Sequence, residues 1–384
     1  MASWISMDEA CSRLGVKPQT VYAYVSRGKL EAAPDPADSR RSLYRASDLA
    51  ALARRKQSGR KHETLAANTL FGAEPSVPTA LCAFFRGRPH FRGQDALELA
   101  RTATVEEAAR LLWDAEAPVD LAAAGAAPRG ARPGRVAAFT ALAALAATGD
   151  STRGRLTRVL HQECQALVGR VATAFGARAG RQPLHLRFAQ GWKQPAAVAD
   201  LLRTAMVMLA DHELTSSAFA ARIAASTGAS LPACLLAGLA ALSGPEHGDA
   251  SGRVRALFDE VERLGGDAVL ARHLAAGMPF PGFGHHLYPD GDPRAAALLV
   301  RIELPASIAR FIAQVTARTG LQPNVDVALA ALAARHGLPE DAAFGLMATA
   351  RSIGLLAHSL EQLSVPRMIR PRGRYVGAPA AAAA

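Results

Sequence analysis

Two adjacent histidines, His285 and His286, lie in the stretch PFPGFGHHLYPDGDPRAAALL, residues 279–299. It reads as a Gly/Pro-rich loop followed by a helix beginning at Asp292-Pro293-Arg294, because Asp is a strong N-cap and Pro is favoured at the first helical position. Arg294 then falls in the first turn, at the same corner as the histidines. Gly282 and Gly284 would let the backbone approach a ligand closely, and a histidine beside them is poorly suited to a core role. Three further segments place polar groups in apolar helical surroundings: Ala210-Asp211-His212-Glu213, Ser243 to Ala250 around His247, and Pro323-Asn324-Val325-Asp326. Singly, each has an ordinary reading as a satisfied buried residue or a cap. Their conjunction points to a site, and the positive charge balance suits an anionic substrate.

The elements that must hold these residues are helical. From Ala80 to about Gly354 the chain is rich in alanine and leucine at helical spacing, with Pro/Gly turns at Gly125–Gly134 and Gly149–Gly154 and no long alternating strand pattern. FRGRPHFRGQDALELA reads as a short β-ribbon entering a helix, and TVEEAARLLWDAEAP as an amphipathic helix capped by Thr104. The predicted class is all-α. A chain of 384 residues, 50% hydrophobic, can bury a large core. No apolar run is long enough to span a bilayer, and the first residues lack the basic and apolar regions of a signal peptide, so a cytoplasmic location without membrane association is expected. Cys11, Cys82, Cys164 and Cys234 show neither metal-ligand spacing nor a disulfide framework.

The net charge is +11, and residues 1–62 hold twelve Lys or Arg against six Asp or Glu. That basic excess suggests a polyanionic partner. Residues 6–30 form two short helical patterns about Gly15-Val16-Lys17, with Ser6 and Glu9 as a capping box and Ala10, Leu14, Val21 and Val25 inward. A polar hairpin, DSRRSLYR, and a third helix from Ser47-Asp48 follow. The stretch resembles an excisionase or MerR-type winged helix-turn-helix, which implies DNA contacts from Lys17, Gln19, Thr20 and Tyr24 on the second helix and from Arg40, Arg41 and Arg45 in the wing. The alternative is a docking or oligomerisation module. Residues 61–79, with the charged run before them, read as a linker.

The segments of the main body resemble those of citrate synthases. GPEHGDAS is similar to their GPLHGGAN, PGFGHHLYPDGDPRA to PGFGHRVY…DPRA, PNVDVALA to NVDF, and ADHELTSSAFAAR to HADHE-N-AST. ATARSIGLLAHSLEQ and IRPRGRYVG resemble the C-terminal arginine, AH-x-x-E and RPR-x-x-Y-x-G segments, while FRGQDALELA and VEEAARLLW have counterparts in YRG and EE-x-A-x-LLW. The match runs in order over residues 80–377. It implies a homodimer whose protomer has a large helical domain, 80–246 with 336–377, and a mobile small domain, 247–335. The helix-turn-helix would occupy 1–60, and 378–384 an alanine-rich tail.

The resemblance also implies a reaction: acetyl-CoA and oxaloacetate condense and the thioester is hydrolysed, giving citrate and CoA with no cofactor beyond the acyl-CoA co-substrate. A thioester methyl is a very weak acid, so a base must act with a donor that stabilises enolate charge. The carried-over roles are Asp326 as base, His247 as enolate donor and His285 as donor to the ketone oxygen. His212, Arg294, Arg351 and Arg370 would bind oxaloacetate, Arg370 in the partner protomer's site, and Gly282, Phe283 and Gly284 would border CoA.

This sequence departs from the family pattern at Asp249 and Ser251, where glycine and asparagine are usual, and at Thr215-Ser216, where asparagine is frequent. A carboxylate turned toward His247 would favour its protonated form. Two rival functions share these residues: 2-methylcitrate synthesis from propionyl-CoA, and a DNA-binding regulator whose body senses a ligand.

Overall fold

The computed structural model of the protein describes residues 4–14, 16–26, 29–36, 38–49, 77–122, 132–365 and 367–370, without the side chains of Ser39 and Arg40. The linker run, much of the Gly125–Gly134 turn and the alanine-rich tail lie outside the described residues. The chain divides into two compact units, one N-terminal and one spanning residues 78–371.

In the N-terminal unit β1 (Trp4–Ile5) leads into α1 (Met7–Leu14) and α2 (Pro18–Ser26), followed by β2 (Ala32–Asp35) and β3 (Asp38–Arg45). The strands form an antiparallel sheet in the order β1, β3, β2. A core of Ile5, Ala10, Leu14, Val21, Leu30, Tyr44 and Leu49 closes the unit. Ala10 and Leu14 face inward as their spacing requires. Ser6 Oγ accepts from Glu9 N at 3.4 Å, but the Glu9 carboxylate turns to Arg13 at 2.6 Å. Helix begins again at residue 46, one residue before the expected Ser47.

The second unit opens with the expected ribbon, β4 (Cys82–Phe85), β5 (Arg88–Phe91) and β6 (Gln94–Asp95), an antiparallel meander. Asp95 caps α3 (Ala96–Thr102), and Thr104 with Glu107 forms a full capping box on α4 (Val105–Trp113). After them come α5 (Arg135–Thr148), α6 (Thr157–Ala174), α7 (Leu184–Gly191), α8 (Ala196–Leu209), α9 (Ser216–Ser226) and α10 (Leu231–Leu242). The chain continues through α11 (Ala250–Leu264), α12 (Gly266–Ala276), α13 (Pro293–Leu299), α14 (Ala306–Thr319), α15 (Val325–Arg335) and α16 (Ala342–Leu363). The main body is helical, as expected.

The axis of this unit is α16, which packs against α4, α6, α8, α9 and α10. It is buried on nearly every side, so its apolar residues run all round rather than along one stripe. Gly354 lies where α16 meets residues 210 and 211: a Cβ there would overlap the Asp211 carboxylate and the Ala210 carbonyl. Gly354 N instead donates to Ala210 O at 2.9 Å, fixing the segment that carries His212. Among the described residues no helix is long and apolar enough to cross a membrane.

Candidate active site

Arg294 is the best-anchored group of the site. Asp292 caps α13 through its carboxylate and binds the same arginine twice, from Nε at 3.0 Å and from a terminal nitrogen at 2.8 Å. The second Asp292 oxygen also accepts from Val325 N at 2.9 Å. One carboxylate therefore joins the start of α13 to the start of α15, where Asp326 is the next residue. Arg294 is 2% exposed, and its proximity holds Asp292 below the usual carboxylate range against burial.

Asp326 sits in the first turn of α15, whose cap is Asn324. Its backbone N–H donates to Asn324 Oδ1 at 2.9 Å, while its own Oδ1 is buried without a hydrogen-bond partner. Burial pushes the carboxyl up to about 7, with Arg294 acting against the shift. A carboxyl with that affinity can hold or release a proton near neutral pH.

His247 lies in the tight turn between α10 and α11. Its Nε2 is 2.8 Å from Ser217 Oγ, which is 2.9 Å from Thr215 Oγ1, the cap of α9. Burial and then the Arg351 guanidinium lower the ring to about 4, so it is neutral at physiological pH. His285 Nδ1 accepts from Leu287 N at 3.1 Å. A backbone N–H can only donate, so the neutral ring carries its proton on Nε2 and presents that N–H as a donor. Burial, then Arg294, holds this ring near 4 as well. His286 stacks on it with centroids 4.8 Å apart.

His212 follows α8, is 5% exposed and touches both Tyr288 and His285. Burial and the cations Arg294 and Arg351 hold it well below the ordinary histidine range. Arg351, on α16, donates from Nε to Leu209 O at 3.0 Å; burial lowers it to about 10, with Asp211 opposing. Its charge acts on His212, His247 and Asp326 alike. These six residues thus share one electrostatic environment: neutral imidazoles, two guanidiniums and a carboxyl poised near neutrality.

The remaining expected residues are not among these six. Arg370 is exposed beyond α16, with no hydrogen bond to the cluster among the described residues. Phe283 is turned inward against Phe280. Gly282, at φ +81°, leaves room for the protein itself, since a Cβ would stand 2.5 Å from Val254 and 2.8 Å from Val327. Gly284, also at positive φ, has Leu321 beside it. Asp249 does not turn to His247; both its oxygens bind Arg135, at 2.7 and 2.8 Å. A guanidinium that fits a carboxylate bidentately outcompetes a neutral imidazole for it. Buried Ser251 keeps an unpartnered Oγ.

On the helix-turn-helix, Lys17 and Gln19 are exposed and Thr20 is half-buried. Tyr24 packs on the N-terminal core, because it lies three residues from buried Val21 and shares its face. The exposed tyrosine of α2 is Tyr22. In the wing Arg41 pairs with Asp38, and Arg45 is committed to Glu31 at 2.6 Å and the Trp4 ring; the Arg40 side chain lies outside the described residues. Sequence reasoning also missed Ser217, Tyr288 and Arg135. Ser217 and Tyr288 lie inside the motif segments, but only the fold shows what they touch.

Comparison with known protein families matches residues 74–372 to the family described as citrate synthase, C-terminal domain. The chain belongs to the citrate synthase family. Residues 4–57 match a helix-turn-helix domain, where the two short helices are found. The citrate synthase of Haloferax volcanii is 32% identical over 195 residues, 47% of this chain and 51% of that protein. Citrate synthase 2 of Bacillus subtilis is 31% identical over 197 residues, 48% and 53% of the two chains. The chain spans about half the length of the curated relatives it matches.

The fold agrees with solved structures of the family. Citrate synthase from Thermotoga maritima aligns with TM-score 0.68 at 24% identity, covering 81% of this chain and 96% of that one. The Thermoplasma acidophilum citrate synthase, in ternary complex with carboxymethyl coenzyme A and oxaloacetate, aligns with TM-score 0.70 at 21% identity, covering 83% and 98%.

Proposed function

We propose that the chain condenses an acyl-CoA with oxaloacetate and hydrolyses the resulting thioester, releasing CoA. The observation that carries this reading is the Asp326 carboxyl: buried, with one oxygen unpartnered, lifted to about 7, and standing one residue after the amide that Asp292 ties to Arg294. Asp326 takes a proton from the carbon next to the thioester carbonyl, and His247, held neutral and braced by Ser217, stabilises the enolate oxygen by a hydrogen bond. The enolate carbon attacks the ketone carbon of oxaloacetate while His285 Nε2–H donates to the ketone oxygen. Water then cleaves the thioester, so acyl-CoA, oxaloacetate and water become the tricarboxylate and CoA.

Arg294, Arg351 and His212 bind the oxaloacetate carboxylates, for which planar guanidiniums are the natural partner. The 282–284 backbone borders CoA, residues 247–335 close as a small domain over the rest, and Arg370 reaches the site of a second protomer in a homodimer. Acetyl-CoA is the favoured substrate, with propionyl-CoA as the rival. Product mass decides: citrate from acetyl-CoA at the higher rate supports the first, 2-methylcitrate from propionyl-CoA the second, and neither product overturns the proposal.

The helix-turn-helix match favours a second reading, a DNA-binding regulator whose body binds the same ligands without turnover. Its signature is salt-dependent affinity for duplex DNA, altered by oxaloacetate, in a protein that releases no CoA.

A further inference from the structure

The motif comparison gives Tyr288 no role, yet it touches three of the six clustered residues. It is 3% exposed. Its hydroxyl lies 2.9 Å from His212 Nε2. Its ring is tilted against His285 with centroids 4.8 Å apart, and its backbone N–H donates to His285 O at 3.0 Å. The Arg294 guanidinium stands over the ring, 5.1 Å from its centroid. Phe84 closes the edge, with centroids 5.1 Å from His212 and 5.6 Å from Tyr288. Both partners of the hydrogen bond are thereby held in place from several sides.

Either partner of a phenol–imidazole pair can donate, and the choice fixes which imidazole nitrogen carries the proton. Burial keeps the phenol protonated, and burial together with the nearby cations keeps the imidazole neutral. Among the described residues His212 Nε2 is the only hydrogen-bond partner of the buried hydroxyl, so accepting there would leave the phenol's own proton without an acceptor. We propose that Tyr288 is a positioning residue: its hydroxyl donates to His212 Nε2 and locks His212 as the Nδ1–H tautomer, with Nδ1–H as the ring's remaining donor. The consequence for oxaloacetate rests on the functional reading above. The tautomer does not.

The test uses the full chain labelled with 15N-histidine, and long-range 1H–15N spectra in which His212 is assigned by comparison with His212→Asn. The wild type is expected to show Nε2 unprotonated and Nδ1 protonated. Tyr288→Phe, which removes only the hydroxyl, is expected to show a mixture of both tautomers. Its KM for oxaloacetate is expected to rise about tenfold, the effect of one lost buried hydrogen bond, with kcat within about twofold. A protonated Nε2 in the wild type, an unchanged tautomer in Tyr288→Phe, or an unchanged KM would each overturn the proposal. Should Tyr288→Phe fail to fold, the wild-type spectrum alone still decides. Absence of turnover by the wild type would count against the functional reading and leave the tautomer result standing.

Discussion

Buried arginines occur in two regions of this fold, and their surroundings differ. In the scaffold Arg187 donates to Arg178 O, Leu121 O and Thr173 Oγ1. Arg203 gathers the carbonyls of Ala100, Arg101 and Ala103 at the end of α3, with Asp200. Arg222 binds Glu361, Gln362, His358 and Pro78 O. In the site, Arg294 has the Asp292 carboxylate, and Arg351 has the single carbonyl of Leu209 among the described residues. Each scaffold guanidinium binds three or more acceptors from separate segments and holds those segments together. In the site Arg351 makes only that one side-chain hydrogen bond among the described residues, so its other N–H groups are available to an anionic ligand.

Swapping the two kinds of arginine is the sharpest way to break this contrast. Arg351→Gln should lower kcat/KM for oxaloacetate about 10²-fold or more, with little change in melting temperature, because on the proposed function it removes a charged contact to substrate. An unaltered kcat/KM in steady-state assays would put Arg351 in the scaffold class. The pH dependence comes next in size. With Asp326 raised to about 7 and His247 and His285 held near 4, kcat should fall about tenfold per unit below pH 7, with no histidine contribution above pH 5. A pH profile that stays flat down to pH 5 would contradict the assignment.

The same shift bears on stability with the opposite sense. A carboxyl raised on folding stabilises the fold below its unfolded value and loses that contribution as pH rises through about 7. Asp326→Asn should therefore melt higher than wild type at pH 8, with the difference vanishing near pH 4. Arg222→Gln should do the reverse of Arg351→Gln: it leaves Glu361 half-paired and costs about 3–5 kcal/mol in denaturant unfolding, with KM unchanged in the folded fraction. The smallest effect belongs to the Arg135–Asp249 pair, whose side chains are 33% and 26% exposed. Each single neutralisation should cost about 1 kcal/mol or less, and the double variant little more than either.

The helical class, the ribbon before α3 and the caps at Thr104 and Asp292 were legible because each depends on local sequence. Three of the site's relations were not. The Asp292 carboxylate was readable as a cap, but its grip on Arg294 and on Val325 N joins two helices that sequence spacing cannot relate. Ser217 looked like one hydroxyl among several until α9 placed it under His247. Asp249 stands two residues from His247 in sequence, yet the arginine it meets begins a helix 114 positions earlier. The packing of Tyr24 has a simpler reason: the inward face of α2 is set by Val21, and of the two tyrosines Tyr24 shares that face while Tyr22 lies off it.

The proposed function stands or falls on carbon–carbon bond formation with Asp326 as the base. The most direct measurement is CoA release by thiol trapping, with oxaloacetate and acetyl-CoA or propionyl-CoA, comparing wild type with Asp326→Asn while calorimetry follows oxaloacetate binding to both. The expected result is oxaloacetate-dependent CoA release by the wild type, lowered about 10²- to 10⁴-fold in the variant, which still binds oxaloacetate. No release with either acyl-CoA by a wild-type protein that binds oxaloacetate, or undiminished release by Asp326→Asn, would contradict it.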